Sequence, residues 1–232
     1  GMYVYDFEVN PIWGGEVKMP YTEKKMNNIA YSVDEKGNAY ILTEVINDES
    51  GKRTTKDGEP NYTIELLKID SDKSTSNIKV PMNGKFTDNV NFFEGKNDEI
   101  IIAGFYSNSK GRGIDGFFLS KLYDGSVEDL KFYEIPVDVM KMYLSDRTQE
   151  KLEKKDSKVD LKMTNMLLRE ITYQEDGSIT IYGEKYYVVS HTDPKTGRTT
   201  YTYYYQEIIG AGIDKDGELF WMNKFPKNQI GG

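Results

Sequence analysis

Side chains of the types and spacing that catalysis requires are scarce in this sequence. His191 is the single histidine, and the chain has no cysteine. Within one chain, these counts exclude a multi-histidine metal site, a thiolate zinc site and a cysteine nucleophile, and a histidine-based triad could use only His191. His191 falls in a polar segment, residues 190–197, between two predicted strands, which favours an exposed loop residue. We predict no catalytic residue and no cofactor.

Two aspartate-rich turns contain alternate carboxylates, as the opening of a calcium-binding loop does. They lie at residues 70–74 and 214–217. An EF-hand loop ends with a bidentate glutamate at its twelfth position, and those positions hold Pro81 and Phe225. Aspartate and glycine are also the residues that hairpin turns use for side-chain-to-backbone bonding and left-handed backbone. The turns therefore favour a structural role, and we predict no metal site.

Tyrosines are concentrated in two segments, residues 186–187 and 201–205. Successive side chains of a strand point to opposite faces, so some of these rings are expected to be exposed. Exposed aromatic rings can stack on sugars or anchor a protein partner, whereas cross-strand pairing that stabilises a twisted sheet is the alternative interpretation. The candidate binding surface consists of Tyr186, Tyr201, Tyr203, Tyr205, Arg112 and His191.

Arg112 belongs to a glycine-rich segment, residues 111–116. The segment lies between predicted strands and opens no helix, so it does not predict a phosphate-binding loop.

The charge balance limits the classes of partner. Acidic residues outnumber basic ones by 38 to 30, which gives a net charge of −8 and a pI near 4.9. Nonspecific attraction to nucleic acid or to an anionic membrane is therefore disfavoured. No apolar run approaches the roughly 18 residues that cross a bilayer, so no membrane insertion is predicted. The compartment stays open, because a cysteine-free chain fits cytoplasm, periplasm or exterior equally.

Period-two segments rich in Tyr, Ile, Val, Thr and Phe recur along the chain and predict strands joined by hairpin turns. Four of them end at a proline, which cannot donate to a continuing ladder: Pro20, Pro81, Pro136 and Pro226. A turn precedes each proline, at residues 10–15, 70–76, 124–125 and 214–217. A further turn precedes three of these pairs, at residues 34–37, 95–98 and 174–177.

This pattern predicts three four-stranded units preceded by half a unit, within a single repeat domain. The predicted bounds are 2–21 for the half unit and 22–82, 83–136 and 161–232 for the complete units. Residues 137–160 are predicted to form an inserted helix, because Met140, Tyr143, Leu144 and Leu152 fall on one side of it.

Recurrence of four antiparallel strands resembles β-propeller repeats, and the chain is similar to uncharacterised propeller-like proteins common in bacteria. The resemblance implies an all-β fold of antiparallel, four-stranded, propeller-like blades, and it implies no activity. About three and a half units are too few to close a ring. We therefore expect an incomplete or open propeller, either a fragment of a longer array or a homodimer that pairs through its blade edges.

The longest loops all join second to third strands, at residues 47–60, 107–115 and 191–198, and are expected to cluster on one face. Repeats that carry loops but no catalytic motif favour a binding or scaffold module for a protein or glycan partner. The alternative is a fragment of a carbohydrate-active hydrolase or lyase with carboxylates at the blade channel. That chemistry requires two carboxyl groups about 5 to 9.5 Å apart.

Overall fold

Strands make up most of the chain. The computed structural model describes residues 1–95, 99–111, 113–145, 150 and 162–231. Within these residues, fifteen strands form four sheets, of two, four, four and five strands, and none of the sheets closes on itself. The predicted all-β class, built from antiparallel, mostly four-stranded sheets, is confirmed.

The strands of the four sheets have the following bounds. The first sheet pairs β1 (Met2–Tyr5) with β2 (Pro11–Gly15). The second contains β3 (Met26–Val33), β4 (Ala39–Ile46), β5 (Tyr62–Ile69) and β6 (Thr75–Val80). The third contains β7 (Phe86–Glu94), β8 (Ile100–Ser107), β9 (Gly116–Tyr123) and β10 (Ser126–Glu134). The fourth contains β11 (Met166–Tyr173), β12 (Ile179–Thr192), β13 (Thr199–Ile213), β14 (Leu219–Phe225) and β15 (Gln229–Gly231).

The middle strands of the second and third sheets carry the core. All eight residues of β4 are buried, and seven of the eight in β8 are buried. Such strands consist of nearly continuous apolar residues because both of their faces are covered. The long loops after β4, β8 and β12 do join second to third strands, as predicted. Their common face stays a prediction.

The chain divides into two compact units. The first unit comprises residues 1–103 and 119–131, and the second comprises residues 104–118 and 132–232. The interpretation of the whole chain as a single repeat domain stays a prediction.

In the first unit, the β1–β2 hairpin packs on the second sheet. Val4 is buried in one cluster with Ala39, Ile41 and Leu67, and Trp13 packs against that cluster. The Trp13 indole Nε1–H donates to the carbonyl oxygen of Gly37 at 2.6 Å. An indole that buries its ring and satisfies its polar edge in this way fixes the hairpin on the sheet.

In the second unit, aromatic rings fill the space beside the fourth sheet. The rings of Phe105 and Phe117 lie 5.0 Å apart between centroids, and both residues are fully buried. The Tyr133 hydroxyl donates to the carbonyl oxygen of Gly217 at 2.9 Å. Phe105 also lies directly over Gly183 of β12, where a glycine permits the close approach.

Two features of the structure differ from the prediction. The first hairpin turns at residues 6–10, where the Asp6 N–H donates to the carbonyl oxygen of Asn10, and not at residues 10–15. Asp6 stabilises the turn at residues 6–10 because its carboxylate also accepts hydrogen bonds from the N–H groups of Glu8 and Asn10. β15 was not predicted; it adds to the outer side of β13 after Pro226 has ended β14.

The inserted helix is described only at its start. Helix α1 spans Val137–Lys141, with Val139 as its buried residue. Residues 146–149 and 151–161 lie outside the described residues, so most of the predicted 137–160 helix does too. No helix among the described residues is long and apolar enough to span a membrane.

Gly183→Ala tests the packing of the second unit. A Cβ at this position would fall on Phe105 Cζ and within 3.2 Å of Cε1. Overpacking of this kind lowers the free energy of unfolding by about 1–3 kcal/mol, which urea denaturation would measure. Gly231→Ala is the control, because open space surrounds that position. Equal stability of the two variants would contradict the packing described here.

Candidate functional site

The hairpin formed by β12 and β13 is longer than the rest of its sheet. β11 pairs with β12 only as far as Lys185, and β14 pairs with β13 only over residues 208–213. Beyond these points, Tyr186–Thr192 continues to pair with Thr199–Tyr205 in seven successive residue pairs. We call this extension of β12 and β13 the ribbon; β15 pairs with its base on the β13 side, at residues 203–205.

The ribbon forms because its sequence suits strands and its turn is stabilised locally. Tyrosine, valine and threonine, which dominate both segments, fit a pleated strand surface. At the tip, the Asp193 carboxylate accepts the N–H of Lys195 at 2.7 Å, and Gly197 adopts a φ of 70°. The hairpin turn therefore lies at residues 193–198, and the predicted loop residue His191 belongs to β12.

One face of the ribbon carries the predicted tyrosines. The register pairs Tyr186 with Tyr205, Val188 with Tyr203, and Ser190 with Tyr201, which places these six side chains on one face. We call it the tyrosine face. Four of its six residues belong to the candidate binding surface predicted from the sequence, namely Tyr186, Tyr201, Tyr203 and Tyr205.

Exposure increases from the base of the tyrosine face toward its tip. Tyr186 and Tyr205 are partly buried. Tyr203 is 37% exposed, Val188 is 42% exposed and Tyr201 is 53% exposed. The outer half of the face therefore offers apolar and aromatic surface to solvent.

Cations surround the base of the tyrosine face. The rings of Tyr186 and Tyr205 lie 5.1 Å apart between centroids. The Arg169 guanidinium lies 5.4 Å and 5.9 Å from these two rings, and Lys227 Nζ lies 5.6 Å from the Tyr205 ring. These distances are those of cation–π contacts, which fix the two rings relative to the sheet.

Both cations are held by the buried carboxylate of Glu184. Arg169 Nε and Nη2 each lie 2.7 Å from Glu184 Oε2, and Lys227 Nζ donates to Oε1. Burial alone would raise the pKa of this carboxyl. The hydrogen bonds and charges of Lys227 and Arg169 outweigh burial and hold the pKa below its ordinary value. Glu184 is therefore ionised at neutral pH and anchors the base of the face.

A matching glutamate occurs in the second sheet. Glu44 is the seventh residue after Gly37, as Glu184 is the seventh after Gly177. Arg53 Nε donates to both carboxylate oxygens of Glu44, at 2.8 and 2.9 Å, and its guanidinium lies 4.7 Å from the Tyr62 ring. Here burial outweighs the single arginine and raises the pKa of Glu44.

The other two predicted surface residues do not lie on the tyrosine face. His191 lies opposite Thr200 on the other face of the ribbon. The face of the ribbon that carries His191 also carries the stacked rings of Tyr187 and Tyr204, with centroids 4.7 Å apart and planes inclined by 9°. His191 is an odd-numbered position of β12, so its side chain lies on the opposite face from Tyr186. Arg112 lies outside the described residues.

The charged base of the site was not predicted from the sequence. Arg169 and Lys227 come from β11 and from the segment between β14 and β15, so no local spacing connects them with Glu184. The recurrence of a glutamate seven residues after a turn glycine was a detectable signal.

In the two aspartate-rich turns, carboxylates accept hydrogen bonds from backbone N–H groups of the same turn. The Asp214 carboxylate accepts the N–H groups of Asp216 and Glu218, and Asp72 accepts the N–H of Ser74. Across the described ranges, no three His, Cys, Asp or Glu side chains are grouped so that they could hold a metal ion.

No protein-family model and no curated protein matches the sequence. Among solved structures, the chain is similar to a DUF4221 family member from Bacteroides vulgatus, with a TM-score of 0.42 and 12% identity over 88% of this chain and 53% of that one. This chain thus spans about half the length of that protein.

Two further structures are similar to the chain. One is a catalytically inactive virginiamycin B lyase from Staphylococcus aureus with quinupristin (TM-score 0.30, 13% identity, 89% of this chain and 72% of that one). The other is a mannose phosphorylase from Leishmania mexicana in complex with phosphate ion (TM-score 0.29, 10% identity, 87% and 69%). Likenesses at these scores assign neither a family nor an activity to this chain.

Replacing Glu184 and Glu44 separately should give opposite pH dependences of stability. The pKa of Glu184 is lowered on folding, so its contribution to stability is present above its unfolded pKa and is lost as the pH falls. Glu184→Gln should therefore lower the free energy of unfolding by more at pH 7 than at pH 4. The pKa of Glu44 is raised on folding. Glu44→Gln should therefore lower the free energy of unfolding by less at pH 7 than at pH 4.

Urea denaturation at the two pH values measures both differences, and each variant is the other's matched control. The same pH trend in both variants would contradict the roles assigned to their cations.

Proposed function

We propose that this protein is a binding module and that the tyrosine face receives a protein or glycan partner. The observation that carries the proposal is that four tyrosines and a valine lie on one face of a ribbon extending beyond its sheet, with the outer residues open to solvent. Contiguous exposed apolar and aromatic surface of this kind marks interaction sites.

The composition of the face resembles the core of an interface. Its six residues include no charged side chain, while Arg169 and Lys227 lie at its base. Tyrosine and arginine are enriched in interfaces, whereas aspartate, glutamate and lysine are depleted from their cores. A partner would therefore bury tyrosine and valine at the centre and meet charge only at the edge.

The face is also pre-organised for binding. Thirteen registered residue pairs join β12 to β13, and seven of them lie in the ribbon. Tyrosine has only two side-chain torsions, and at the base its rings are held by cations. A partner would thus bind with little loss of conformational freedom in this chain.

A protein partner fits the geometry best. Val188 lies between the tyrosines of this face and is 42% exposed. Branched aliphatic side chains have no planar ring on which a sugar can stack, whereas a protein surface buries them favourably. The glycan is the second candidate, favoured by the exposed rings of Tyr201 and Tyr203.

Tyr201→Ser/Tyr203→Ser is the variant that tests the proposal. A displayed peptide library and an oligosaccharide array would each be screened against the unmodified protein. Ligands selected in this way should lose about 30-fold in affinity for the variant, which corresponds to about 2 kcal/mol from two exposed anchor residues.

The control is Val189→Ser/His191→Ser, which changes two exposed residues on the opposite face. Binding should be retained in this control. Ligands that bind the tyrosine variant unchanged, or the absence of any ligand in both screens, would contradict the proposal. A selection of peptides alone or glycans alone would decide between the two kinds of partner.

A further inference from the structure

The outer edge of the ribbon has unpaired backbone groups. At one end, the Tyr186 N–H points outward and donates to the carbonyl oxygen of Asn165 at 2.9 Å. At the other end, the Asp193 N–H points inward and donates to the carbonyl oxygen of Arg198. Backbone groups alternate in direction along an antiparallel strand, so Val188, Ser190 and Thr192 direct their N–H and C=O groups away from β13. No described residue pairs with this edge beyond Tyr186.

The same edge carries no fixed charge. Residues 186–192 consist of tyrosine, valine, serine, histidine and threonine, and include no aspartate, glutamate, lysine or arginine. An outer strand such as β10, by contrast, carries Glu128, Asp129, Lys131 and Glu134. Charged side chains on edge strands prevent association with other strands, and this edge lacks them.

We propose that two copies of this chain pair edge to edge through residues 187–191 of β12. The strands run antiparallel about a two-fold axis at Val189, so that Val188 lies opposite Ser190 and Tyr187 opposite His191. A second copy is the occupant we infer because this segment is self-complementary. Its centre is apolar, its outward backbone groups match under two-fold rotation, and no like charges meet.

The net charge of −8 opposes this association at long range. Because salt screens such repulsion, dimerisation should strengthen as ionic strength rises. The edge itself contributes main-chain hydrogen bonds, as in other strand-addition interfaces.

Pairing of this kind would join the two ribbons into one four-stranded sheet. An axis perpendicular to the sheet leaves both tyrosine faces on the same side, where they would form one doubled surface. The inference concerns the strand edge and not the tyrosine face, so it goes beyond the proposed function and can fail independently of it.

The absence of cysteine permits a direct test. Val189→Cys places one thiol on the axis, where the two opposed residues of a non-hydrogen-bonded pair lie about 4.5 Å apart between α-carbons, within the range that a disulfide spans. Under mild oxidation, this variant should form a disulfide-linked dimer rapidly. The control is Thr202→Cys, which lies opposite Val189 but one strand farther from the edge, so its two thiols would be too far apart.

A second pair of variants tests the unmodified edge by light scattering after size-exclusion chromatography. Ser190→Pro removes an outward N–H without removing a hydrogen bond between β12 and β13, so it should abolish the dimer. Ser190→Ala keeps that N–H and should remain dimeric.

Equal oxidation rates for Val189→Cys and Thr202→Cys, or a monomeric unmodified protein at all concentrations, would overturn the proposal. A dimer that survives Ser190→Pro would also overturn it, because such a dimer must use another surface.

Discussion

The need to pair every buried backbone N–H and C=O group governs the architecture of this protein. Every residue of β4 is buried, so each of its backbone polar groups must find a partner within the protein. β3 and β5 supply those partners on either side. The same requirement operates in the third and fourth sheets, and it makes the four-stranded meander the smallest unit that protects two middle strands.

The ribbon continues the backbone hydrogen bonds between β12 and β13 beyond the residues that β11 and β14 pair with. The thirteen-pair register of β12 with β13 keeps the two strands aligned, while β11 and β14 end near the base of the ribbon. A two-stranded hairpin alone is marginally stable in water. The contacts among Glu184, Arg169, Lys227 and the paired Tyr186 and Tyr205 rings therefore stabilise the ribbon at its base.

Much of this architecture could be predicted from the sequence because alternation, turn residues and strand-ending prolines are local signals. The four strands of the second sheet lie within residues 22–82, and those of the third sheet lie within 83–136. The alternation of Tyr201, Tyr203 and Tyr205 likewise put them correctly on one face. The contacts of Arg169 and Lys227 with Glu184 could not be predicted, because they join side chains far apart in sequence. The length of the ribbon was missed because the loop-like composition of residues 190–192 concealed a strand whose outer side is unpaired.

Both the tyrosine face and the proposed edge-to-edge dimer require the ribbon to be an ordered hairpin. In it, one edge of β12 pairs with β13 and the other edge is free. Residue-resolved amide hydrogen exchange in dilute solution measures this property for each backbone N–H. We expect slow exchange at Tyr187, Val189 and His191, whose N–H groups point toward β13, and fast exchange at Val188, Ser190 and Thr192. Uniformly fast exchange over residues 187–192 would show that the ribbon does not form, and would contradict both the tyrosine face and the free edge.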